Sequence, residues 1–433
     1  MCKKGDGERG GCFTSRRRCR IDDYLRICLS PSSPYPPSYT NIFKYPWLGF
    51  QEVSSRELSV DERMIRRALA LATLGTGTAA PNPRVGAVVA RRARILGQGY
   101  HRRPGEPHAE AVALSHVETS GESANGATLY TTLEPCCHTG RTPPCVEGIV
   151  RAGIGRVVAS MKDPNPKVNG GGFRALRQRG VAVEVGLLRE DAYRLNEAFV
   201  KHVRTGLPLV TLKGATSLDG RIATRSRDSK WITSGLARRH ARLLRAEHEA
   251  ILVGTGTVLA DDPRLDRRPR SPLSRPLLRV ILDRTLRLSP RSRLVWSLGR
   301  GPVLVFCGSG VLPRRRRALE ALGVEVEEVR ERGKILPRLD LEEVLRKLGG
   351  RGITSLLVEG GGELEGSFLD RRLGDRLVLY VAPRILGGRD ARPWIGGEGV
   401  ATAAGAVRLR RARWTRVGDG WLVDGSLEYD RAD

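Results

Sequence analysis

From Ser59 onward, short apolar runs alternate with stretches of helical period, and this alternation restricts the chain to layered α/β folds. Ser59-Val60-Asp61-Glu62 reads as a capping box, in which the serine oxygen accepts an orphan amide and Glu62 reaches back. Ile65, Leu69 and Ala72 follow at i, i+4 and i+7, and Gly75 ends that helix. Strands are then expected at 85–89, 94–98, 127–131, 156–161 and 181–185. The expected helices cover 109–117, a short turn after Pro144, and 172–179. A break at Arg204-Thr205-Gly206-Leu207-Pro208 opens a second α/β pattern, with strands at 209–212, 250–253, 278–282, 303–306, 324–329, 353–358 and 377–381. Ser234 caps a helix over 235–247. The Arg- and Pro-rich stretch 263–276 reads as an exposed loop.

At 433 residues the chain exceeds one ordinary domain, so two domains plus extra chain are expected. No apolar run approaches the ~18 residues of a membrane helix, so no membrane partner is expected. The net charge of +27 suggests nucleic acid, yet 64 of the 74 basic residues are arginine and they spread over the whole chain. Nucleic acid is therefore not an expected partner. Residues 1–58 stand apart, holding Cys2, Cys12, Cys19 and Cys28, the run Arg16-Arg17-Arg18 and a Pro/Ser/Tyr stretch, without sustained period. We expect a disordered basic leader. An organellar transit peptide is the alternative, opposed by Asp6, Glu8, Asp22 and Asp23. No apolar segment precedes a cleavage site, and the thiols Cys136, Cys137 and Cys145 read as a metal site rather than a disulfide framework. A reducing, cytoplasmic compartment follows.

His108-Ala109-Glu110 opens an expected helix, and Glu134-Pro135-Cys136 follows a strand. With Cys145 they supply one imidazole, two thiolates and a carboxylate that need not bind metal. Two thiolates and an imidazole suit tetrahedral Zn2+ and leave a fourth position for water. This is the pattern of zinc deaminases, with Glu110 as acid/base and not ligand. Cys136 and Cys145 are separated by eight intervening residues instead of the usual two, so Cys137 and His138 are rival ligands. Adjacent side chains diverge, which disfavours a Cys136/Cys137 pair. His101 and His116 lack a partner pattern and read as non-ligands.

His108-Ala109-Glu110, Leu133-Glu134-Pro135-Cys136 and Gly140-Arg141-Thr142-Pro143-Pro144-Cys145 together resemble the deaminase half of the bacterial bifunctional riboflavin-biosynthesis deaminase/reductase family. Pro81-Asn82-Pro83-Arg84-Val85-Gly86, Gly105-Glu106-Pro107 and Asp163-Pro164-Asn165-Pro166 match that family's substrate loops, and the resemblance places Asn82 on the pyrimidine.

Gly254-Thr255-Gly256-Thr257-Val258-Leu259 follows a strand but lacks the third glycine of a dinucleotide fingerprint. Glu359-Gly360-Gly361-Gly362-Glu363 joins an apolar strand to a helix over 364–369, where backbone amides approach a phosphate. Lys213-Gly214-Ala215-Thr216-Ser217-Leu218-Asp219-Gly220-Arg221, Ser229-Lys230-Trp231-Ile232-Thr233, Thr257-Val258-Leu259-Ala260-Asp261-Asp262-Pro263 and Val358-Glu359-Gly360-Gly361 resemble the reductase half of the same family. The resemblance implies NADPH, lined by Ala215, Trp231, Thr257, Asp261 and a loop of Gly361, Gly362, Glu363, Leu364, Glu365, Gly366 and Ser367. It implies Ser229, Arg245, Leu265, Arg268 and Glu359 as substrate residues, the arginines offering forked donors to a phosphate. Asp219 is either a turn residue or a ligand of sugar hydroxyls, and Lys213 has no assigned role.

The implied architecture is a zinc cytidine-deaminase-like three-layer α/β/α domain over 59–205, then a dihydrofolate-reductase-like α/β domain over 206–433. The implied reactions are zinc-dependent deamination of a pyrimidine ribosyl phosphate and NADPH-dependent reduction of its ribosyl group, in a homo-oligomer. A nucleic-acid-editing deaminase is the rival, and it leaves 206–433 without a role. A chain with one active half is another. Suspicion there falls on the reductase, at the 263–276 insertion and at Arg284.

Overall fold

The computed structural model describes residues 58–140, 143–267, 275–333 and 337–430. The expected leader, apart from Leu58, lies outside the described residues, as do Arg141, Thr142 and Arg268.

The capping box forms as expected: Glu62 N donates to Ser59 Oγ and Ser59 N to Glu62 Oε2, both at 3.1 Å. The helix Val60–Thr73 buries Ile65, Ala68, Leu69 and Ala72 on one face. It packs on a five-stranded sheet of β1 (Gly86–Arg91), β2 (Arg94–Tyr100), β3 (Thr128–Thr131), β4 (Arg156–Ala159) and β5 (Ala182–Val185), in the order β2-β1-β3-β4-β5. Gly86 is required by this packing, because a Cβ there would lie 2.0 Å from the Ala68 carbonyl oxygen. β1 runs antiparallel to β2 and β3, and β3, β4 and β5 run parallel. The helices Ala109–Thr119, Cys145–Arg151 and Gly171–Gln178 connect the strands.

Two helices, Arg189–Leu195 and Glu197–Thr205, lead to a nine-stranded sheet. In chain order the second half contains β6 (Leu209–Ser217), β7 (Arg221–Ala223), β8 (Ala250–Gly254), β9 (Leu278–Leu282), β10 (Val303–Cys307), β11 (Glu325–Glu328), β12 (Glu331–Arg332), β13 (Arg338–Leu339), β14 (Ser355–Val358), β15 (Arg376–Ala382), β16 (Arg392–Pro393), β17 (Arg408–Val417) and β18 (Gly420–Glu428). The large sheet has the order β11-β10-β9-β8-β14-β6-β15-β18-β17, parallel from β11 to β15 and closed by an antiparallel hairpin. β12–β13 and β7–β16 form small two-stranded ribbons. Ala250 and Leu252 enter one core and Ile251 and Val253 the other. Burial on both faces is why these strands read as continuous apolar runs.

The helix Gly235–Glu247 starts and stops where its Ser234 cap and period place it. β6 runs five residues beyond its expected end at Leu212, since pairing with β15 from Lys213↔Val378 to Ser217↔Ala382 holds a segment without an apolar pattern. The helix over 364–369 begins earlier, at Gly362, and absorbs the expected glycine loop into its first turns.

Candidate active sites

The first site is assembled at the ends of elements. His108 occupies the N-cap of the helix Ala109–Thr119 and Glu110 lies in its first turn. Cys136 follows β3 in a loop, and Cys145 is the first residue of the helix Cys145–Arg151. His108 Nδ1 lies 3.2 Å from Cys145 Sγ and 3.5 Å from Cys136 Sγ. One ligand atom from each of the three residues lies within 4.8 Å of the others. One nitrogen and two sulfurs at these separations fit the first shell of a tetrahedral zinc ion. Cys145 N donates to Cys136 Sγ at 3.3 Å, which orients the first sulfur.

Glu110 is buried, 3.7 Å from Cys145 Sγ, outside the donor set. Burial pushes its carboxyl up to about 7, against the pull of His108. The contact with Cys145 draws the Cys136 thiol down, and the same contact pushes Cys145 up. The pair thus favours a thiolate, the form a metal requires. Cys137 does not join the set; its sulfur lies 3.0 Å from the Cβ position of Gly171. His138 lines the cavity outside the donor set.

These groups open into a cavity of about 480 Å3. Asn82 lines it, its Nδ2 3.0 Å from His101 Nε2, while His101 Nδ1 lies 3.2 Å from the Pro107 carbonyl. Donation of Nδ1–H to that carbonyl leaves Nε2 as acceptor and fixes the Asn82 amide. His101 is therefore outside the metal-donor set and orients Asn82. Glu134 accepts from the amides of Asp163, Gly170 and Phe173 at 3.1, 2.9 and 3.2 Å, which ties Asp163 and Asn165 to the cavity wall. Burial raises the Asp163 carboxyl to about 6. Neither positioning role has a sequence signal, because each depends on a partner in another element.

The second cavity, about 190 Å3, is lined by Lys213, Ala215, Ser229, Trp231, Thr233 and Tyr380 among others. Three expected residues therefore meet there: Ala215, Ser229 and Trp231. The Arg238 guanidinium lies 4.2 Å from the Trp231 ring centroid, a cation–π contact. The Tyr380 hydroxyl lies 2.7 Å from His240 Nδ1. Arg245 and Glu359 face each other in a bidentate pair, Nε–Oε1 at 3.0 Å and the second N–O contact at 2.9 Å. Burial raises the Glu359 carboxyl, but Arg245 outweighs it and holds the group at about 2. Arg245 also donates to the Asp266 carbonyl, so three of its N–H groups are engaged within the protein. Thr257 and Asp261 lie on the helix Thr255–Asp261 after β8.

Several residues expected at cofactor or substrate pack against the protein itself. Leu265 belongs to the apolar core with Ile251 and Ile281. Leu364 packs on the opposite core. Gly366 is closed off by Gly396, whose carbonyl oxygen lies 2.1 Å from the Cβ position. Glu365 is 1% exposed, and neither carboxylate oxygen has a hydrogen-bond partner among the described residues. The physical reason is common to the last three: 362–367 are helical, so only part of the segment faces outward. Gly361 remains at the N-cap, while Gly362 meets the Pro393 carbonyl at 2.7 Å from its Cβ position. Glu363 lies 3.5 Å from Arg338, and Ser367 accepts from Arg338 at 3.0 Å. Asp219 accepts from Ser217 Oγ and from the amides of Leu386 and Gly387, so it pins the loop after β15.

Comparison with known proteins agrees with this geometry. Residues 58–161 match the family model for the cytidine and deoxycytidylate deaminase zinc-binding region, and residues 208–423 match the RibD C-terminal domain. The chain is 43% identical over 359 residues to riboflavin biosynthesis protein RibD of Bacillus amyloliquefaciens, covering 83% of this chain and 94% of that protein. It is also 43% identical to RibD of Escherichia coli over 368 residues, covering 81% and 94%. Among solved structures, Acinetobacter baumannii RibD superposes with a TM-score of 0.75 at 35% identity, covering 85% of this chain and 99% of that one. The Thermotoga maritima diaminohydroxyphosphoribosylaminopyrimidine deaminase/5-amino-6-(5-phosphoribosylamino)uracil reductase gives 0.73 at 35%, with the same coverage.

Proposed function

This chain belongs to the RibD family of riboflavin-biosynthesis proteins, and from that membership we propose how its two cavities divide the work. It is a bifunctional deaminase and reductase. The first cavity hydrolytically deaminates 2,5-diamino-6-(5-phosphoribosylamino)pyrimidin-4(3H)-one. The second reduces the ribosyl group of the product to give 5-amino-6-(5-phosphoribitylamino)uracil. The carrying observation is the set His108, Cys136 and Cys145 with a buried carboxyl beside it that is not one of the three donors.

Those three residues would hold zinc, which when bound supplies Lewis acidity that makes water a nucleophile near neutral pH. Glu110 takes a proton from the attacking water and delivers it to the departing ammonia. A carboxyl raised by burial to about 7 suits both transfers. Asn82, oriented by His101, hydrogen-bonds the pyrimidine edge.

NADPH, when bound, supplies the hydride that reduces the ring-opened ribosyl imine at C1′. Ala215, Trp231, Thr257, Asp261 and the helix start at Gly361 would line the cofactor. Ser229, Arg245, Glu359 and Arg268 hold the substrate, with Glu359 fixing the Arg245 fork. We assign 59–205 to deamination and 206–433 to reduction. The enzyme works as a cytoplasmic homo-oligomer on a small molecule and needs no nucleic acid.

A mass-resolved assay on zinc-loaded protein tests the reading. Without NADPH the substrate should show the exchange of an amino group for oxygen, and with NADPH the further gain of two hydrogens. Absence of both shifts would overturn it.

A further inference from the structure

The wall of the first cavity includes one side chain from beyond its own sheet. Every other lining residue lies between Pro81 and Val168, whereas Phe199 comes from the helix Glu197–Thr205 that leads to the nine-stranded sheet. Phe199 is half-buried and shares the wall with Lys167 and Val168.

That helix is anchored at its start and at its middle. At its start, the Asn196 side chain accepts from Arg84 N at 2.8 Å and donates to Arg84 O at 3.0 Å, two residues from Asn82. The Arg84 guanidinium returns to the Leu195 carbonyl and to Thr76 Oγ1. Further along, Lys201 pairs with Asp375, which also accepts from Val210 N at 2.7 Å. Val210 lies on β6, and Asp375 immediately precedes β15, two paired strands of the reductase sheet. The placement of Phe199 is thus set jointly by Arg84 of the first half and by Asp375 of the second.

We propose that Phe199 is a specificity-determining residue of deamination: its ring packs on the substrate pyrimidine, and its position depends on the Lys201–Asp375 anchor. The inference rests on the deaminase reading above. A flat heteroaromatic ring gains from an aromatic wall, and base–aromatic stacking is commonly lost at about 1–3 kcal/mol on truncation to alanine. The anchor gives the reductase sheet a physical means of shaping the deaminase cavity.

The test uses the full zinc-loaded chain. Phe199→Ala should raise the KM for deamination about tenfold with kcat within about twofold. Phe199→Tyr should restore most of the affinity, and Phe199→Leu, apolar but without a ring, should not. Asp375→Ala should raise the same KM several-fold although it lies outside the cavity. Zinc content and reduction of supplied deaminated intermediate report that each variant is folded. An unchanged KM in Phe199→Ala with zinc bound would refute the contact, and an unchanged KM in Asp375→Ala would refute the anchoring. A wild-type chain that does not deaminate refutes the functional reading instead, so the two failures are distinguishable.

Discussion

Glu365 offers a test of the fold that activity does not confound. Its carboxylate lies over Gly214, where a Cβ would sit 3.7 Å from Glu365 Oε2, 2.6 Å from Leu379 and 3.2 Å from Trp394. Burial pushes its pKa well above the usual carboxylate range, although Lys213 pulls the other way and Glu359 adds to the rise. A raised carboxyl keeps its proton in the folded chain while the unfolded chain releases it. Below about pH 4.5 both states are protonated and no linked penalty exists. As pH rises beyond that value, stability falls by about 1.4 kcal/mol per unit until the folded group also ionises. The protonated group still lacks a hydrogen-bond partner among the described residues, which costs about 1–3 kcal/mol at any pH. Glu365→Met keeps the chain length and removes both costs. It should therefore stabilise by about 2 kcal/mol near pH 5 and by more at pH 7, read as a shift in urea midpoint at constant slope. Glu365→Gln should flatten the pH dependence but keep most of the constant penalty. A Glu365→Met chain that is less stable than the parent, or gains nothing between pH 5 and 7, would mean that the carboxylate has a partner and the burial argument is wrong.

Other outcomes follow from the same geometry. Glu110→Gln should lower deamination by about three orders of magnitude while reduction of supplied intermediate continues; equal loss in both steps would remove Glu110 from its role. Cys145→Ser should lose both bound zinc and deamination, and elemental analysis still showing one zinc per chain would exclude Cys145 as a ligand. Asp424→Asn should destabilise by about 1–3 kcal/mol, because the largely buried Arg376 guanidinium, bonded to Asp424 by two contacts at 2.7 Å, would keep only the charges of Glu247 and Glu197. A urea midpoint within error of the parent's would show that Arg376 finds another partner.

Much of the first site was legible because its chemistry is written in residue type and order. His108, Glu110, Cys136 and Cys145 needed only a helix start and a strand end to meet, and both have local signals. Strands buried on two faces, such as Ala250–Gly254 and Val303–Cys307, were legible for the same local reason. The hairpin Arg408–Val417 and Gly420–Glu428 was not, since its arginines at 408, 410, 411, 413 and 416 hide the alternation and β17 is an edge strand with little buried surface. The helix Pro313–Glu320 is concealed likewise by four consecutive arginines. Glu365 and Leu265 are buried in a way the sequence did not announce, because family correspondence assigns a segment, whereas burial is decided residue by residue around a helix or turn.

The segment between the two sheets was the least legible, for a physical reason. A boundary between 205 and 206 follows from a Gly-Leu-Pro break in a linear pattern, yet the helix Glu197–Thr205 contributes Phe199 to the first cavity while its Lys201 pairs with Asp375 beside the second sheet. Its half-buried face has no single core to match, so no clean period announces it. A sequence break marks where backbone conformation changes. It does not mark where mechanical dependence ends, because that depends on Lys201 bonding Asp375 across 174 positions. If the second half holds this helix in place for the first cavity, cutting the chain at 205/206 should leave a first half that binds zinc but deaminates with the raised KM expected of Asp375→Ala, and adding the second half in trans should lower it.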